Sequence, residues 1–370
     1  MKEKRVFKYR KDGQIRFSQN SKQKSSSEYS YTHYDELGRP YQSGVAVGCH
    51  YDGLDSDRSE PGTIYFTFNY LKETTYTKYD QITDQDKAWL SIHAPNYTNP
   101  TFLSGNVAVT SNVNDNISTF YSYDVYGRVK WMVLKNNGIS TAKTIDYEYD
   151  PITGQVIKVD FQKNTLSERF VHKYTYDADT QQLVKVETST NNVDFIEHAV
   201  YEYYENGALK RTELAGGIQG LDYVYNLAGQ LKGINHPELT STKDPGGDHT
   251  DLFGLQLNYH VGDYTRDSRF QTQRIAGIED QFNGNMQSMR WNSKVNTTDA
   301  NSNPLQYSYT YNKNNWLKSA KFNSNEFAHT GEYKSGDYDV SNITYDANGN
   351  ILSLHRNKKT IGSSSNKWTS

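Results

Sequence analysis

The stretch Tyr121-Ser-Tyr-Asp-Val-Tyr-Gly-Arg-Val129 contains the pattern that decides the fold of this 370-residue chain. Its first two tyrosines are two residues apart, so their rings lie on one face of a β-strand, a setting that aromatic residues favour. Asp124 suits the first position of a type I turn, where its carboxylate accepts hydrogen bonds from backbone N–H groups two residues on. Gly127 tolerates the positive φ that returns the chain to a second strand. The stretch therefore predicts an antiparallel hairpin with a three-residue loop and a bulge at the glycine.

The same motif recurs along the whole chain. The copies are Tyr34-Asp35 with Gly38, Tyr123-Asp124 with Gly127, Tyr149-Asp150 with Gly154, Tyr176-Asp177 with Gln181 in the glycine position, Tyr203-Tyr204 with Gly207, Tyr225-Asn226 with Gly229, Tyr311-Asn312 with Asn315, and Tyr345-Asp346 with Gly349. From Tyr123 to Tyr225, successive motif tyrosines are separated by 26, 27, 27 and 22 residues. Periods of this size are typical of repeat proteins, whose units cannot bury their apolar faces alone.

Each copy predicts one hairpin, and adjoining hairpins are expected to pair edge to edge. Asn315 fits the turn because asparagine tolerates the left-handed region, and the copies at Asp150 and Asp177 have one extra loop residue. The predicted fold class is all-β, with stacked antiparallel hairpins in one long curled sheet. Residues 1–370 are expected to form a single continuous array, in which the Pro- and Gly-containing residues 236–251 form an irregular loop.

The composition indicates what kind of sheet this is. The chain has 31 tyrosines, a mean hydropathy of −0.88 and only 35% hydrophobic residues, so an ordinary compact core is not expected. Tyrosine combines an apolar ring with a hydroxyl that needs water or a partner, which suits a shell that is partly wet inside. Disorder is the alternative for so polar a chain, but the aromatic alternation and the turn chemistry agree over most of its length. One short connecting helix is predicted to open at Thr83 and end before Pro95.

The charge pattern argues against nucleic acid as a partner. Forty Lys and Arg residues face 43 Asp and Glu residues with the signs mixed along the chain, so there is no basic stripe for phosphates. The basic residues between Lys2 and Arg16 fall in two alternating stretches divided by Asp12-Gly13, which predict another small hairpin. No apolar run follows the first lysines and no transmembrane stretch is present, so neither a signal peptide nor membrane insertion is predicted. The single cysteine excludes an internal disulfide.

Several stretches resemble the YD-repeat, or RHS-repeat, family. They are Tyr34-Asp-Glu-Leu-Gly-Arg39, residues 121–129, Tyr147-Glu-Tyr-Asp150, Tyr345-Asp-Ala-Asn-Gly-Asn-Ile351, and residues 220–233, which are similar to large RHS proteins of Bacteroidetes. The family includes bacterial polymorphic toxins, shell components of insecticidal toxin complexes, and animal teneurins. The resemblance implies a hairpin ribbon that spirals into a hollow β-cocoon, which encloses a C-terminal toxin or displays surface modules.

The resemblance also implies a location and partners. A secreted or cell-surface protein is expected, with the remainder of the same polypeptide, an enclosed cargo and secretion machinery as partners. Complete family shells are longer and end in a closing segment that often carries an aspartate-dependent cleavage site. Asp150-Pro151 lies in a repeat turn and Asp244-Pro245 in the irregular loop, so neither matches that segment. The chain is therefore expected to be a fragment of a larger polypeptide.

No catalytic, cofactor or metal site is predicted. Carboxylates among aromatic residues are typical of glycosidases, but these aspartates recur at a turn position, which already explains them. Two groups carry possible cation ligands: Asp52, Asp55, Asp57 and Glu60, and then Asp248, His249 and Asp251. The first group lacks the spacing of an EF-hand, so a solvated acidic loop is favoured. The ten histidines are scattered singly along the chain, so a plain surface loop is favoured for the second group.

Two functions are compatible with these motifs. One is a non-enzymatic scaffold, part of a shell that encapsulates a C-terminal toxin or effector. The other is a cell-surface adhesion module whose outer tyrosine-rich face binds carbohydrate or protein. A lumen of polar and tyrosine side chains would favour encapsulation, whereas a contiguous exposed aromatic patch would favour adhesion.

Overall fold

The computed structural model of the chain describes residues 5–10, 12–48, 68–112, 116–248, 251–294, 304–322 and 336–358. These residues form 22 β-strands and two α-helices, and most consecutive strands pair antiparallel, many of them as hairpins. The predicted all-β fold class is therefore confirmed. The chain divides into two compact units, one with residues 1–174 and 188–195 and the other with residues 175–187 and 196–370.

The first unit holds most of strands β1 to β11. They are β1 (Val6–Tyr9), β2 (Ile15–Gln19), β3 (Glu28–Tyr34), β4 (Pro40–Val47), β5 (Tyr70–Tyr79), β6 (Val107–Asn112), β7 (Ile117–Tyr123), β8 (Val129–Asn136), β9 (Lys143–Tyr149), β10 (Val156–Phe161) and β11 (Phe170–Tyr176). Each odd-numbered strand runs outward to a turn and the next even-numbered strand returns. Returning strands also pair with the following outgoing strand, as β8 does with β9, so the hairpins are joined edge to edge.

The second unit holds most of strands β12 to β22. They are β12 (Leu183–Ser189), β13 (Ile196–Tyr203), β14 (Leu209–Leu214), β15 (Gln219–Tyr225), β16 (Leu231–Ile234), β17 (Phe253–Asn258), β18 (Ser288–Ser293), β19 (Leu305–Tyr311), β20 (Leu317–Phe322), β21 (Val340–Tyr345) and β22 (Ile351–Arg356). From β13 onward each strand pairs antiparallel with the next. This unit therefore repeats the hairpin scheme of the first.

Two helices interrupt the strands of the first unit: α1 (Ser21–Ser25) and α2 (Asp84–His93). The predicted start of α2 is confirmed, because the Thr83 hydroxyl accepts a hydrogen bond from the Asp86 N–H and the Asp86 carboxylate accepts one from the Thr83 N–H. Leu90 of α2 is fully buried in a cluster with Val109, Phe120 and Val133 from strands β6, β7 and β8. The helix connects β5 to β6 as predicted, and it also places an apolar side chain on the sheet, which the sequence did not predict. None of the helices in the described ranges has the length and apolar character needed to cross a lipid bilayer.

Many buried side chains of the second unit are polar. Gln256, Asn258, Ser288 and Gln306 are buried on the neighbouring strands β17, β18 and β19. The amide of Gln256 donates to Asn258, whose own amide donates to the Ser288 hydroxyl. Buried polar groups are stable only when they are hydrogen-bonded, and this row satisfies itself across the strands. The polar face agrees with the low apolar content of the sequence.

Candidate functional site

Every predicted motif tyrosine is the last residue of an outgoing strand, and the turn that follows is held by a repeated set of hydrogen bonds. In the β7–β8 turn, the Gly127 N–H donates to the Asp124 carbonyl, and the Asp124 N–H donates to the Arg128 carbonyl. The Asp124 carboxylate accepts from the N–H groups of Tyr126 (2.9 Å) and Arg128 (3.0 Å). Burial opposes ionisation, but the hydrogen bonds and charge of Arg128 hold the pKa of Asp124 below its usual value.

The other copies vary this turn in defined ways. The amide oxygens of Asn226 and Asn312 accept the same two backbone bonds that Asp124 accepts. The glycine position is left-handed: φ lies between 76° and 85° at Gly38, Gly127, Gly154, Gly207, Gly229 and Gly349. Gln181 and Asn315 adopt φ of 60° and 61° at that position, a conformation that asparagine tolerates better than glutamine. In the Asp150 and Asp177 turns, the N–H at this position donates to the carbonyl four residues back, so these loops are one residue longer.

The motif tyrosine reaches beyond its own hairpin. In most copies its hydroxyl donates a hydrogen bond to a backbone carbonyl of the preceding hairpin, and we call this contact a tyrosine latch. The latches join Tyr34 to Ile15 (2.8 Å), Tyr79 to Pro40 (2.9 Å), Tyr123 to Val107 (2.8 Å), Tyr149 to Val129 (2.7 Å), Tyr203 to Leu183 (2.7 Å), Tyr259 to Leu231 (2.8 Å), Tyr311 to Met286 (2.9 Å) and Tyr345 to Leu317 (2.6 Å). In all but the Tyr311 latch, the acceptor is the first residue of the preceding returning strand.

A latch requires a neutral phenol, because a phenolate has no proton to donate. Burial raises the pKa of Tyr123, Tyr149, Tyr203 and Tyr259 above the usual tyrosine value. These hydroxyls therefore remain donors at neutral pH. The acceptor carbonyls lie where the strand register shifts beside each turn, so the latch fastens the backbone at its least regular point.

Two arginines extend the latch in the copies that continue with Gly-Arg. The Arg128 Nε lies 2.6 Å from the Asp124 carboxylate of its own turn, and its guanidinium lies 4.3 Å from the centre of the Tyr149 ring. Arg39 repeats both contacts, at 2.8 Å from Asp35 and 4.2 Å from the Tyr79 ring. A guanidinium over an aromatic face is attracted by the ring quadrupole. Each arginine therefore ties its own turn to the latch tyrosine of the next hairpin.

Sequence analysis predicted none of the latches, and it did not count Tyr79 and Tyr259 among the motif tyrosines. Tyr79-Asp80 has the motif, but the chain then passes through α2 before it returns in β6. Asp80 accepts instead from the Gly105 N–H (2.7 Å) and pairs with Arg39 (2.7 Å). Tyr259 follows an alternating stretch but lacks the aspartate. The shared signal was tyrosine at the end of a strand, with or without the turn residues.

A buried network in the second unit centres on Lys232, whose side chain is 0% exposed. Its ammonium donates to the carboxylate of Asp263 (2.9 Å), the hydroxyl of Thr272 (2.6 Å) and the amide oxygen of Asn258 (2.9 Å). Burial lowers the pKa of Lys232 to about 8, although the hydrogen bond and charge of Asp263 oppose that change. Because every partner lies within the unit, we assign this network a structural role.

A second buried group in the same unit is acidic. The aspartate cluster consists of Asp222 in β15 and of Asp244, Asp248 and Asp251 in the segment between β16 and β17. Arg211 of β14 pairs with Asp222 (2.5 Å) and Asp248 (2.9 Å). Gly220 and Gly246 pack so closely here that a Cβ at either position would clash with Arg211. The cluster was not predicted, because its members come from separate segments of the sequence.

The aspartate cluster corrects the interpretation of residues 248–251 as a plain surface loop. Asp251 is only 1% exposed and Asp244 only 2%. Aspartate is seldom buried this deeply unless it is paired, so the sequence alone favoured exposure. His249, the third residue of that predicted group, lies outside the described residues. The acidic group of Asp52, Asp55, Asp57 and Glu60 also lies outside them.

No protein-family model matches the chain, and no curated protein sequence matches it. The chain is similar to the solved structure of TcdB2-TccC3, with a TM-score of 0.49 and 11% identity over 98% of this chain and 19% of that one. It is also similar to TcdB2-TccC3-Cdc42, with a TM-score of 0.45 and 11% identity over 94% of this chain and 16% of that one. A Tc holotoxin pore of Photorhabdus luminescens with a mutated TccC3 gives a TM-score of 0.45 and 11% identity over 98% and 16%. The chain thus spans less than a fifth of the length of these chains.

Proposed function

We propose that this chain is a non-enzymatic RHS-type scaffold, part of a shell that encloses the C-terminal toxin or effector of a secreted polymorphic toxin. The observation that carries the proposal is the tyrosine latch, which recurs in both units and joins successive hairpins at eight places in the described part of the chain. Repeat arrays are held together by such contacts between neighbours. The conspicuous residues of the motif are thus occupied in building the sheet, which leaves them free of any catalytic role.

The scaffold would act by enclosure. Residues 1–370 would form one continuous array, completed by the remainder of the same polypeptide around the cargo. The buried polar row of the second unit supports a polar interior, since the Gln256 amide donates to Asn258 and the Asn258 amide donates to Ser288. The location would be extracellular or at the cell surface after passage through secretion machinery. Neither nucleic acid nor membrane insertion has a part in this mechanism.

Protease protection tests the enclosure. A site for a sequence-specific protease is inserted into the C-terminal segment of the complete polypeptide, and cleavage is followed with and without urea. The matched control carries the same site at residues 191–193, in a turn where Val193 is 77% exposed. We expect rapid cleavage of the control and cleavage of the C-terminal site only after unfolding. Equal native cleavage rates at the two sites would rule out enclosure.

A cleft in the second unit favours carbohydrate binding as the second candidate function. Its volume is about 680 Å³, and its lining includes Tyr203, Tyr204, Tyr225 and Tyr264 together with Glu205 and Arg266. The hydroxyls of Tyr203 and Tyr204 already donate to backbone carbonyls, which leaves their rings as the available surface. Aromatic rings with a few polar groups at the edge of a concave site are suited to stacking on sugars.

A glycan array tests this candidate. If the cleft binds sugar, the chain retains a defined set of oligosaccharides, and Tyr264→Ala abolishes that retention. Tyr126→Ala is the control, because Tyr126 is 73% exposed in a turn of the other unit and lines no part of the cleft. Retention that is unchanged in Tyr264→Ala would exclude the cleft as the sugar site.

A further inference from the structure

We propose that Asp222, Asp244 and Asp248 of the aspartate cluster bind one calcium ion. Asp222, Asp244 and Asp248 each present a carboxylate oxygen, and these oxygens all lie within 4.8 Å of one another. Calcium binds oxygen at about 2.3–2.6 Å, so ligands on opposite sides of the ion lie about 4.8 Å apart. The three oxygens therefore fit around a single ion of that size.

Unpartnered oxygens point to a missing ligand. Asp244 Oδ1 and Asp251 Oδ2 are buried and have no hydrogen-bond partner within the described part of the chain. The other oxygen of each group is fixed: Asp244 Oδ2 accepts from the Asp248 N–H (3.1 Å), and Asp251 Oδ1 accepts from the side-chain amides of Gln219 and Asn235 (both 3.1 Å). A buried carboxylate oxygen without a partner is costly. Asp244, which belongs to the group of three close carboxylates, is thus anchored by one oxygen and leaves the other available to a cation.

The local charge has the sign that a cation requires. Carboxylates outnumber the cations beside them: Arg211 pairs with Asp222 and Asp248, and the nearby Arg269 donates to the Asp244 carbonyl while it pairs with Asp267. A divalent ion would offset this negative charge and would also supply a partner for the free Asp244 oxygen.

The donor atoms and the access route favour calcium over other metals. The ligands are all carboxylate oxygens, which suit hard cations, and calcium accepts irregular arrangements more readily than magnesium. The Asp248 side chain is 26% exposed, so an ion and its remaining waters can enter beside it. Because Asp222 belongs to β15 and the other three aspartates to the β16–β17 connection, the bound ion would fasten that connection to the sheet.

Calorimetric titration of the chelator-treated chain with calcium chloride tests the site. Thermal unfolding is compared in EDTA and in about 5 mM calcium, a concentration at which extracellular calcium modules are loaded. We expect one saturable site and a higher midpoint of unfolding in calcium. Asp244→Asn and Asp248→Asn should each weaken binding about tenfold or more. Asp179→Asn, an exposed turn aspartate of the same unit, should bind as the unsubstituted chain does.

Three results would overturn the proposal. The first is the absence of both heat and a midpoint shift in the unsubstituted chain. The second is unchanged calcium affinity in Asp248→Asn. Asp248 is partly exposed, so this substitution is expected to leave the chain folded and its calcium affinity measurable. The third is magnesium binding as tight as calcium binding. The enclosure proposed above does not depend on this ion, so either proposal can fail without the other.

Discussion

Tyr149→Phe removes one tyrosine latch and leaves the aromatic ring in place. The Tyr149 hydroxyl donates to the Val129 carbonyl at 2.7 Å, while Arg128 would keep its position 4.3 Å from the ring centre. A hydrogen bond of this kind contributes about 1 kcal/mol net to stability, so the free energy of unfolding should fall by about that amount. For a unit of this size, the midpoint of thermal unfolding should fall by about 2–4 °C. Urea unfolding gives the free energy, and amide hydrogen exchange in β8 and β9 locates the change.

Tyr126→Phe is the matched control for this substitution. Tyr126 lies under the same arginine, 4.9 Å from its guanidinium, but its side chain is 73% exposed in the turn. Its hydroxyl faces water, so the control should change stability by less than about 0.5 kcal/mol. Combining Tyr149→Phe with Tyr34→Phe should roughly double the loss, because Tyr34 donates to Ile15 in a separate latch of the same unit. If Tyr149→Phe is no more destabilising than Tyr126→Phe, the latch does not hold the hairpins and the reasoning is refuted.

Alkaline pH, one buried ion pair and one turn glycine provide three more tests. Burial raises the folded-state pKa of many tyrosines above the unfolded value of about 10, and that of Tyr309 to about 12. The stability that these neutral tyrosines contribute is therefore complete below pH 10 and should be lost between about pH 10 and 12. Urea unfolding across this range, with phenolate absorbance as the titration readout, measures that loss. Asp263→Asn leaves Lys232 buried without a counter-ion and should lower the free energy of unfolding by about 3–5 kcal/mol in urea titrations, and a loss below about 1 kcal/mol would contradict the assigned role. Gly127→Ala should cost about 1–2 kcal/mol in the same assay, because φ is 77° in open space, while Gly127→Asn should recover most of that loss; equal losses would show that backbone conformation is not the cause.

The hairpins were predictable because their chemistry is local. The hydrogen bonds of Asp124 and Gly127 in the turn join groups no more than four residues apart, so the spacing of these residues in the sequence predicts the turn directly. The helix cap at Thr83 is equally local and was also predicted correctly. The apolar cluster beneath that helix was not predicted, because Leu90 meets partners from three strands that the sequence does not place together.

The contacts between hairpins could not be predicted from the motif alone. The Tyr149 hydroxyl and its acceptor Val129 are 20 residues apart. The sequence around a tyrosine at the end of a strand does not indicate which backbone carbonyl its hydroxyl will bind. The aspartate cluster is harder still, because Asp222 and Asp251 meet only once two strands and a long connection have folded. Buried charges of this kind run against the general tendency of aspartate to be exposed.

The latch also has a direction, since every donor belongs to a later hairpin than its acceptor. While the chain is being synthesised, the backbone carbonyl at the start of a returning strand lacks its latch donor until the tyrosine of the next hairpin has left the ribosome. Folding would then proceed from the N-terminus hairpin by hairpin, and each new hairpin would supply the latch hydrogen bond of the hairpin before it. Short sequence separations between partners favour rapid folding, and they keep the unpaired growing edge small at any moment. A slowly exported polypeptide could thus build its sheet in step with its own emergence, without first collapsing as a whole.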